Sequence, residues 1–192
     1  MSVKLYDALK SSYGDKKSQQ QLKNAGYNYD SMLSNHNQQV WYNPNTKKML
    51  FNVAGTHNLK DWGTDLYLAF GKLKDTNRYK EAKNILNEAK RKYGNDIETK
   101  ISGHSLGGAV SQYIAGKNDK VYTLDKGATI GQKTRSNENA YRTSGDIVSA
   151  LNANSTRMNT LNNYNKSTGF IPMDILKAHN VENIKNEEIF VD

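Results

Sequence analysis

Between Asp75 and Tyr93 the apolar positions Tyr79, Ala82, Ile85, Leu86, Ala89 and Tyr93 recur at steps of three and four. That spacing lines up one face of an α-helix. Asp75 or Thr76 can cap its start and Gly94 stands just past its end, so the pattern predicts an amphipathic helix lying on something flat. A second helical face follows at Leu106, Ala109, Val110, Tyr113 and Ile114, and shorter helices are predicted over 3–12 and 18–24, ahead of a turn at Gly26. The flat surface is predicted by the β-branched and aromatic runs. QVWYNPNTKKMLFNVAG, residues 39–55, reads as two strands joined by a turn at Asn43-Pro44-Asn45, with 49–54 in the core. Further strands are predicted over 98–102, 120–125 and 140–148.

Strands that alternate with helices imply an α/β fold: a mostly parallel central sheet with helices on both faces. No repeat, low-complexity tract or proline-rich linker interrupts the 192 residues, so a single domain over 1–192 is expected. In such sheets ligands sit at the carboxyl ends of the strands, which directs attention to the residues after each strand.

Composition changes this picture little. Cysteine is absent, which removes disulfides and thiolate chemistry and fits a reducing compartment. The N-terminal MSVKLYDALKSSYGDKK has no apolar core or small-residue cleavage site, and no stretch approaches the roughly 18 apolar residues of a membrane span. A cytoplasmic protein is expected. The net charge of +8 comes from 27 basic residues, 22 of them lysine, scattered beside 24 asparagines. Scattered charge of this kind reads as a solvated surface of an AT-rich coding sequence. An anionic membrane surface is a candidate partner, no specific nucleic-acid partner is expected, and protein partners are not indicated.

KISGHSLGGAVSQYIAG, residues 100–116, carries the chemistry. G-x-S-x-G between a strand and a helix is a nucleophile elbow: small residues two before and two after the serine let strand and helix approach, and the hydroxyl projects above the sheet. Gly103 and Gly107 fill those places around Ser105. The following helix aims backbone N–H groups and its positive end at the same spot, where an oxyanion would form. With glycine and serine each at roughly 7% usage, the bare pattern arises in about one chain in twenty by chance, so the surrounding elements carry the identification.

The fuller string Gly103-His104-Ser105-Leu106-Gly107-Gly108-Ala109, GHSLGGA, resembles the signature of the class 3 (fungal-type) lipases of the α/β-hydrolase superfamily. About fifty residues upstream, LFNVAGTHNLKDWGTDL (50–66) resembles that family's oxyanion segment at Gly55, Thr56, Asp61, Trp62, Asp65 and Leu66. The resemblance implies that Thr56 and Leu106 present their N–H groups to the oxyanion. Many family members carry arginine before that glycine, whereas this chain has Ala54. The stretch from His57 to Lys74 stands where the family often has a lid, and Trp62, Leu66, Tyr67, Leu68 and Phe70 would suit either an acyl chain or the core.

A serine needs a histidine to take its proton and a carboxylate to hold that histidine. The chain has four histidines. His36 precedes the sheet core, His57 lies beside the oxyanion segment, and His104 is expected to point away from Ser105 across the strand. The order serine, acid, histidine then leaves His179, whose setting LKAHNVENI resembles the family's late histidine loop. Asp119, Asp125, Asp146 and Asp174 lie between. Asp146 is preferred because SGDIV (144–148) resembles the family's acid element, with Ser149 in place of the usual proline; Asp125 is the alternative, and Asp119 and Asp174 read as helix-end or turn residues. LDKGATIGQ keeps the family's Gly127 and Gly131 but not its proline.

The resemblance, over residues 38–185, implies a serine hydrolase that cleaves carboxylic esters of lipids, in the manner of a lipase or phospholipase A1. The expected groups are Ser105, Asp146 and His179, with Thr56 and Leu106 at the oxyanion, and neither a metal nor an organic cofactor. The alternative from another class is a non-catalytic hydrolase scaffold acting as a structural or virion component, which would place it in a host cytoplasm or particle.

Overall fold

In the third strand, side chains alternate between two cores. A computed structural model of the chain describes residues 1–56, 72–127, 133–150, 158–163, 174 and 177–192. There the strand Lys48–Val53 (β3) sends Met49, Phe51 and Val53 to one face of the sheet and Leu50 to the other, the period of two that a strand buried on both sides imposes. The neighbouring strand Gln38–Asn43 (β2) does the same with Val40 and Trp41.

Among the described residues seven strands form one sheet in chain order: Asn28–Tyr29 (β1), β2, β3, Glu98–His104 (β4), Lys120–Leu124 (β5), Glu138–Thr143 (β6) and Met158–Leu161 (β7). The first three are antiparallel neighbours and every pair from β3 onward is parallel, so the fold is α/β with a mostly parallel sheet. Crossovers between parallel strands are right-handed, and a sheet that grows in one direction therefore keeps its crossover helices on one face. Both do so. Asn77–Tyr93 (α3) and Leu106–Ile114 (α4) bury Ala82, Leu86, Ala89, Ala109, Val110 and Ile114 in one cluster with β3 and β4.

The opposite face is covered by the two ends of the chain. Leu5–Ser12 (α1) and Lys16–Asn24 (α2) pack Leu5, Ala8, Leu9 and Leu22 against Trp41, Leu50 and Leu124, joined by Val181 and Ile184 of a short 3-10 turn. The termini are tied backbone to backbone, Leu5 N–H donating to Ile189 O at 2.7 Å and Val191 N–H to Val3 O at 2.9 Å. This pairing brings α1 and the segment around His179 to the same end of the sheet.

Helix starts and stops follow the side chains that cap them. Thr76, not Asp75, caps α3 by accepting from Tyr79 N–H at 3.2 Å, and Asp15 caps α2 by accepting from Ser18 N–H. The turn after β2 closes through Asn43 Oδ1, which accepts from the N–H groups of Asn45 and Thr46. Three details differ from expectation. The strand predicted over 140–148 stops at Thr143, because Gly145 turns the chain with φ 84°, and Asp146 stands in the loop beyond it. The short β1 and the polar β7, ENAYRT's partner MNTL, carry no apolar alternation and were not anticipated. Nor are all the lysines solvated: Lys126 Nζ lies 2.5 Å from Glu138 Oε1 with both side chains fully buried. Among the described residues no helix is long and apolar enough to cross a membrane.

Candidate active site

Ser105 occupies the bend between β4 and α4 with φ 57° and ψ −126°, a left-handed backbone that a residue with a side chain adopts only when its surroundings impose it. The surroundings are the two glycines. A Cβ on Gly103 would collide with the carbonyl of Gly107, and one on Gly107 with the carbonyl of Val53, so strand and helix touch backbone to backbone on either side of the serine. Ser105 N–H donates to Leu124 O at 3.0 Å, which pins the bend to the end of β5. Leu106 opens α4, and an N–H at the first helical position has no intrahelical acceptor.

His179 and Asp146 meet each other. His179 Nδ1 lies 2.8 Å from Asp146 Oδ1, both side chains being fully buried. Burial alone would raise the Asp146 pKa, but the bonds from His179 and from Ser149 outweigh it and hold the carboxyl below its ordinary value. An ionised carboxylate only accepts, so the proton sits on His179 Nδ1 and the basic nitrogen is Nε2. Ser149, standing where the resembling family has proline, donates both its N–H, at 2.8 Å, and its hydroxyl to Asp146 Oδ2. A proline there would supply neither.

Asp125, the alternative acid, does not bond to a histidine in this structure. It follows β5 with φ 46°, and its oxygens accept Thr143 N–H at 2.5 Å and Thr143 Oγ1–H at 2.9 Å. Burial, and next the charge of Asp146, push its carboxyl up to about 7. Asp119 is a turn residue as expected, accepting from Gly116 N–H and paired with Lys90.

Alternation along β4 turns His104, like Ser102, to the α1 face, and there its ring lies against that of His179, centroids 4.6 Å apart, a contact the sequence reading did not anticipate. Its Nδ1 is 2.8 Å from Tyr13 Oη, and burial, followed by the neighbouring His179, holds it neutral. The ligand-capable atoms of His104, Asp125 and His179 lie within 4.8 Å of one another, a grouping that no motif in the chain announces.

The oxyanion segment is held from two sides. Gly55 N–H donates to Tyr13 Oη at 2.8 Å, while the Arg78 guanidinium of α3 donates to the carbonyls of Ala54 and, at 3.1 Å, of Gly55. With the Gly55 carbonyl turned toward Arg78, the N–H of Thr56 in the same planar peptide points the opposite way. Thr56 lines a cavity of about 240 Å³ together with Lys10, Tyr13, His104, His179 and Val181.

In part of its length the chain is similar to lipases of solved structure. Lip2 lipase from Yarrowia lipolytica matches at 16% identity and TM-score 0.40, with 65% of this chain and 60% of that chain covered. The native Rhizomucor miehei lipase propeptide complex matches at 12% and 0.41, with 74% and 60% covered, and a lipase from Rhizopus microsporus var. chinensis at 14% and 0.31, with 47% and 40% covered. The chain thus spans about 60% of the length of the first two. No family model matches it, nor does any curated protein sequence.

The structure brings Asp146 and His179 into contact and sets Thr56 on the adjoining cavity, but it leaves the Ser105 hydroxyl buried without a hydrogen-bond partner. Serine-to-base bonds are often long or misaligned in a free enzyme and tighten with substrate. His57, Trp62, the lid stretch as far as residue 71 and Gly131 lie outside the described residues, while Leu73 near its end is buried in the core cluster of β3 and β4. Tyr13 and Arg78 escaped the sequence reading, since nothing marks a tyrosine after the first helix, or one arginine on a lysine-rich helix, as reaching residues 54–55.

Proposed function

We propose that the chain is a serine hydrolase acting on carboxylic esters of lipids. The observation that carries this reading is the buried 2.8 Å pair of His179 and Asp146 beside a serine held at positive φ on a strand-to-helix bend. Ser105 Oγ attacks the ester carbonyl as His179 Nε2 takes its proton, and Asp146 stabilises the imidazolium that forms. The carbonyl oxygen, now anionic, is met by the N–H groups of Thr56 and Leu106. His179 returns the proton to the leaving alcohol, an acyl-Ser105 ester remains, and water attacks it with the same proton route in reverse. The neutral His104 and the apolar Val181 at the cavity keep the reacting groups away from bulk solvent.

One observation favours the second reading, a hydrolase fold that works as a binding scaffold: the Ser105 hydroxyl is fully buried and unbonded. The two part on a direct test. Purified protein and Ser105→Ala are assayed on p-nitrophenyl esters from acetate to palmitate, with a fluorophosphonate as the label for an active serine. Turnover that rises with acyl length and vanishes with Ser105→Ala is expected. Neither turnover nor labelling in the wild type means the scaffold.

A further inference from the structure

We propose that His104, Asp125 and His179 form a site for one divalent transition-metal ion of the zinc class, and that an ion bound there takes His179 out of ester hydrolysis. The second half rests on the serine-hydrolase reading; the first half does not.

The geometry is that of a collapsed coordination shell. One donor atom from each residue lies within 4.8 Å of the other two, and all three side chains are buried. A zinc-class ion holds nitrogen and oxygen donors at about 2.0–2.2 Å, which separates them from one another by about 3–4 Å, so side-chain adjustments of under about 1 Å complete the shell. The ring arrangement agrees. At a tetrahedral ion two imidazoles place their centroids about 5 Å apart, and those of His104 and His179 stand at 4.6 Å, so a small opening of the pair admits the ion.

Each candidate ligand is held by a partner on its far side. His179 Nδ1 is bonded to Asp146, His104 Nδ1 to Tyr13 Oη, and the Asp125 carboxylate to Thr143. This is the outer layer that orients metal-binding histidines and carboxylates. When the ion takes the Nε2 of His104, its Nδ1–H donates to Tyr13 Oη, whose second lone pair accepts from Gly55 N–H.

An independent observation points into the same space. His104 Nε2 is fully buried and has no hydrogen-bond partner, and a buried polar atom of that kind requires an explanation. A metal ion supplies one. Two carboxylates, Asp125 and Asp146, stand beside two imidazoles in a low-dielectric interior, an arrangement that attracts a cation. The cavity lined by His104 and His179 gives a way in. Two imidazoles and a single carboxylate suit zinc, cobalt or nickel rather than magnesium or calcium.

The test is direct binding. The full chain is freed of metal with EDTA, then titrated with Zn²⁺ alone by calorimetry and with Co²⁺ alone by visible absorption, alongside Ser105→Ala, His104→Gln and Asp125→Asn. Wild type and Ser105→Ala are expected to take one ion per chain, and each of the other two variants to lose about 100-fold or more in affinity. Absence of saturable binding by the wild type, or undiminished affinity in both His104→Gln and Asp125→Asn, overturns the site. Should those variants misfold, the imidazole NMR signals of the wild type decide: Co²⁺ that broadens His104 and His179 supports it, and Co²⁺ that broadens only His36 overturns it. Zn²⁺ should also stop hydrolysis of p-nitrophenyl butyrate, and EDTA restore it; full activity with Zn²⁺ bound overturns the second half. Metal binding by a chain that hydrolyses no ester even when freed of metal would sink the hydrolase reading and leave the site standing.

Discussion

Replacing Tyr13 by phenylalanine removes one oxygen atom and no packing volume, which makes it a sharp test of how the oxyanion segment is held. Tyr13 Oη accepts the N–H of Gly55 at 2.8 Å and lies 2.8 Å from His104 Nδ1. Gly55 and His104 are both buried, so losing the oxygen leaves each without its protein partner. Each buried polar group left without a partner costs about 1–3 kcal/mol. The two belong to one network and do not add fully, which puts the expected loss at about 3 kcal/mol. For a chain of this size about 2–4 °C accompanies each kcal/mol, so the melting temperature should drop by about 6–12 °C. Burial pushes the Tyr13 hydroxyl up to about 12, so it stays protonated at neutral pH and the loss should be flat between about pH 6 and 9. Urea and thermal unfolding followed by circular dichroism measure both quantities. Because the freed Ala54–Gly55 peptide no longer fixes the neighbouring Thr56 N–H rigidly, kcat for a soluble ester should fall by about tenfold with KM little changed. A stability change below about 1 kcal/mol together with an unaltered kcat would refute the network as described.

Other consequences are simpler to check. Asp146→Asn should lower kcat by about 10⁴ while leaving the fold intact, since the amide keeps the volume and removes the charge that orients His179; activity within tenfold of wild type would shift the acid to Asp125. Gly107→Ala should abolish soluble expression or activity, because its Cβ meets the backbone at Val53 and Ala54, which cannot rotate away. Arg78→Lys keeps the charge but cannot serve the Ala54 and Gly55 carbonyls with a planar fork, so kcat should drop and added guanidinium should not harm it further. Asp30 is held below its ordinary pKa: burial opposes this, but the bonds from Lys92 and Tyr93 prevail. A depressed carboxyl stabilises above its unfolded pKa and loses that contribution as pH falls through the folded one. Asp30→Asn should therefore be less stable at pH 7 and converge with wild type in strong acid, as acid titrations of unfolding would show.

Much of the fold was legible because its elements obey local rules. The helix over 77–93 has its cap, its apolar face and its terminal glycine in sequence order, and β2 and β3 are bounded by a turn whose asparagine does the capping. Where prediction slipped, the deciding interaction was not local. Residues 140–148 look like one extended run, yet the strand ends at Thr143, whose N–H is taken by Asp125 from the neighbouring strand's end. The short MNTL joins the sheet edge by backbone pairing, a side-chain bond from Asn159 to Ala140 O and the half-buried Leu161, too little apolar surface to leave a pattern in the sequence. Lys126 reads as one more surface lysine and is instead buried against Glu138, Thr123 and Gln112 sharing the same carboxylate.

The site divides along the same line. Gly103, Ser105 and Gly107 are a local device, so their bend could be read from five residues. The groups that surround it come from both ends of the chain: Tyr13 follows α1, His179 precedes the 3-10 turn at Val181–Ile184, and the two line one cavity because the termini pair through Leu5–Ile189 and Val3–Val191 and α1 packs on Val181 and Ile184. Arg78 comes from a third place, the first turn of a crossover helix on the opposite face. A constellation assembled from such separated segments exists only when the whole sheet is formed. For that reason loss of the terminal pairing, far from Ser105, should disarm the site as surely as a change within it, whereas the elbow itself, built from neighbours in sequence, should outlast that loss.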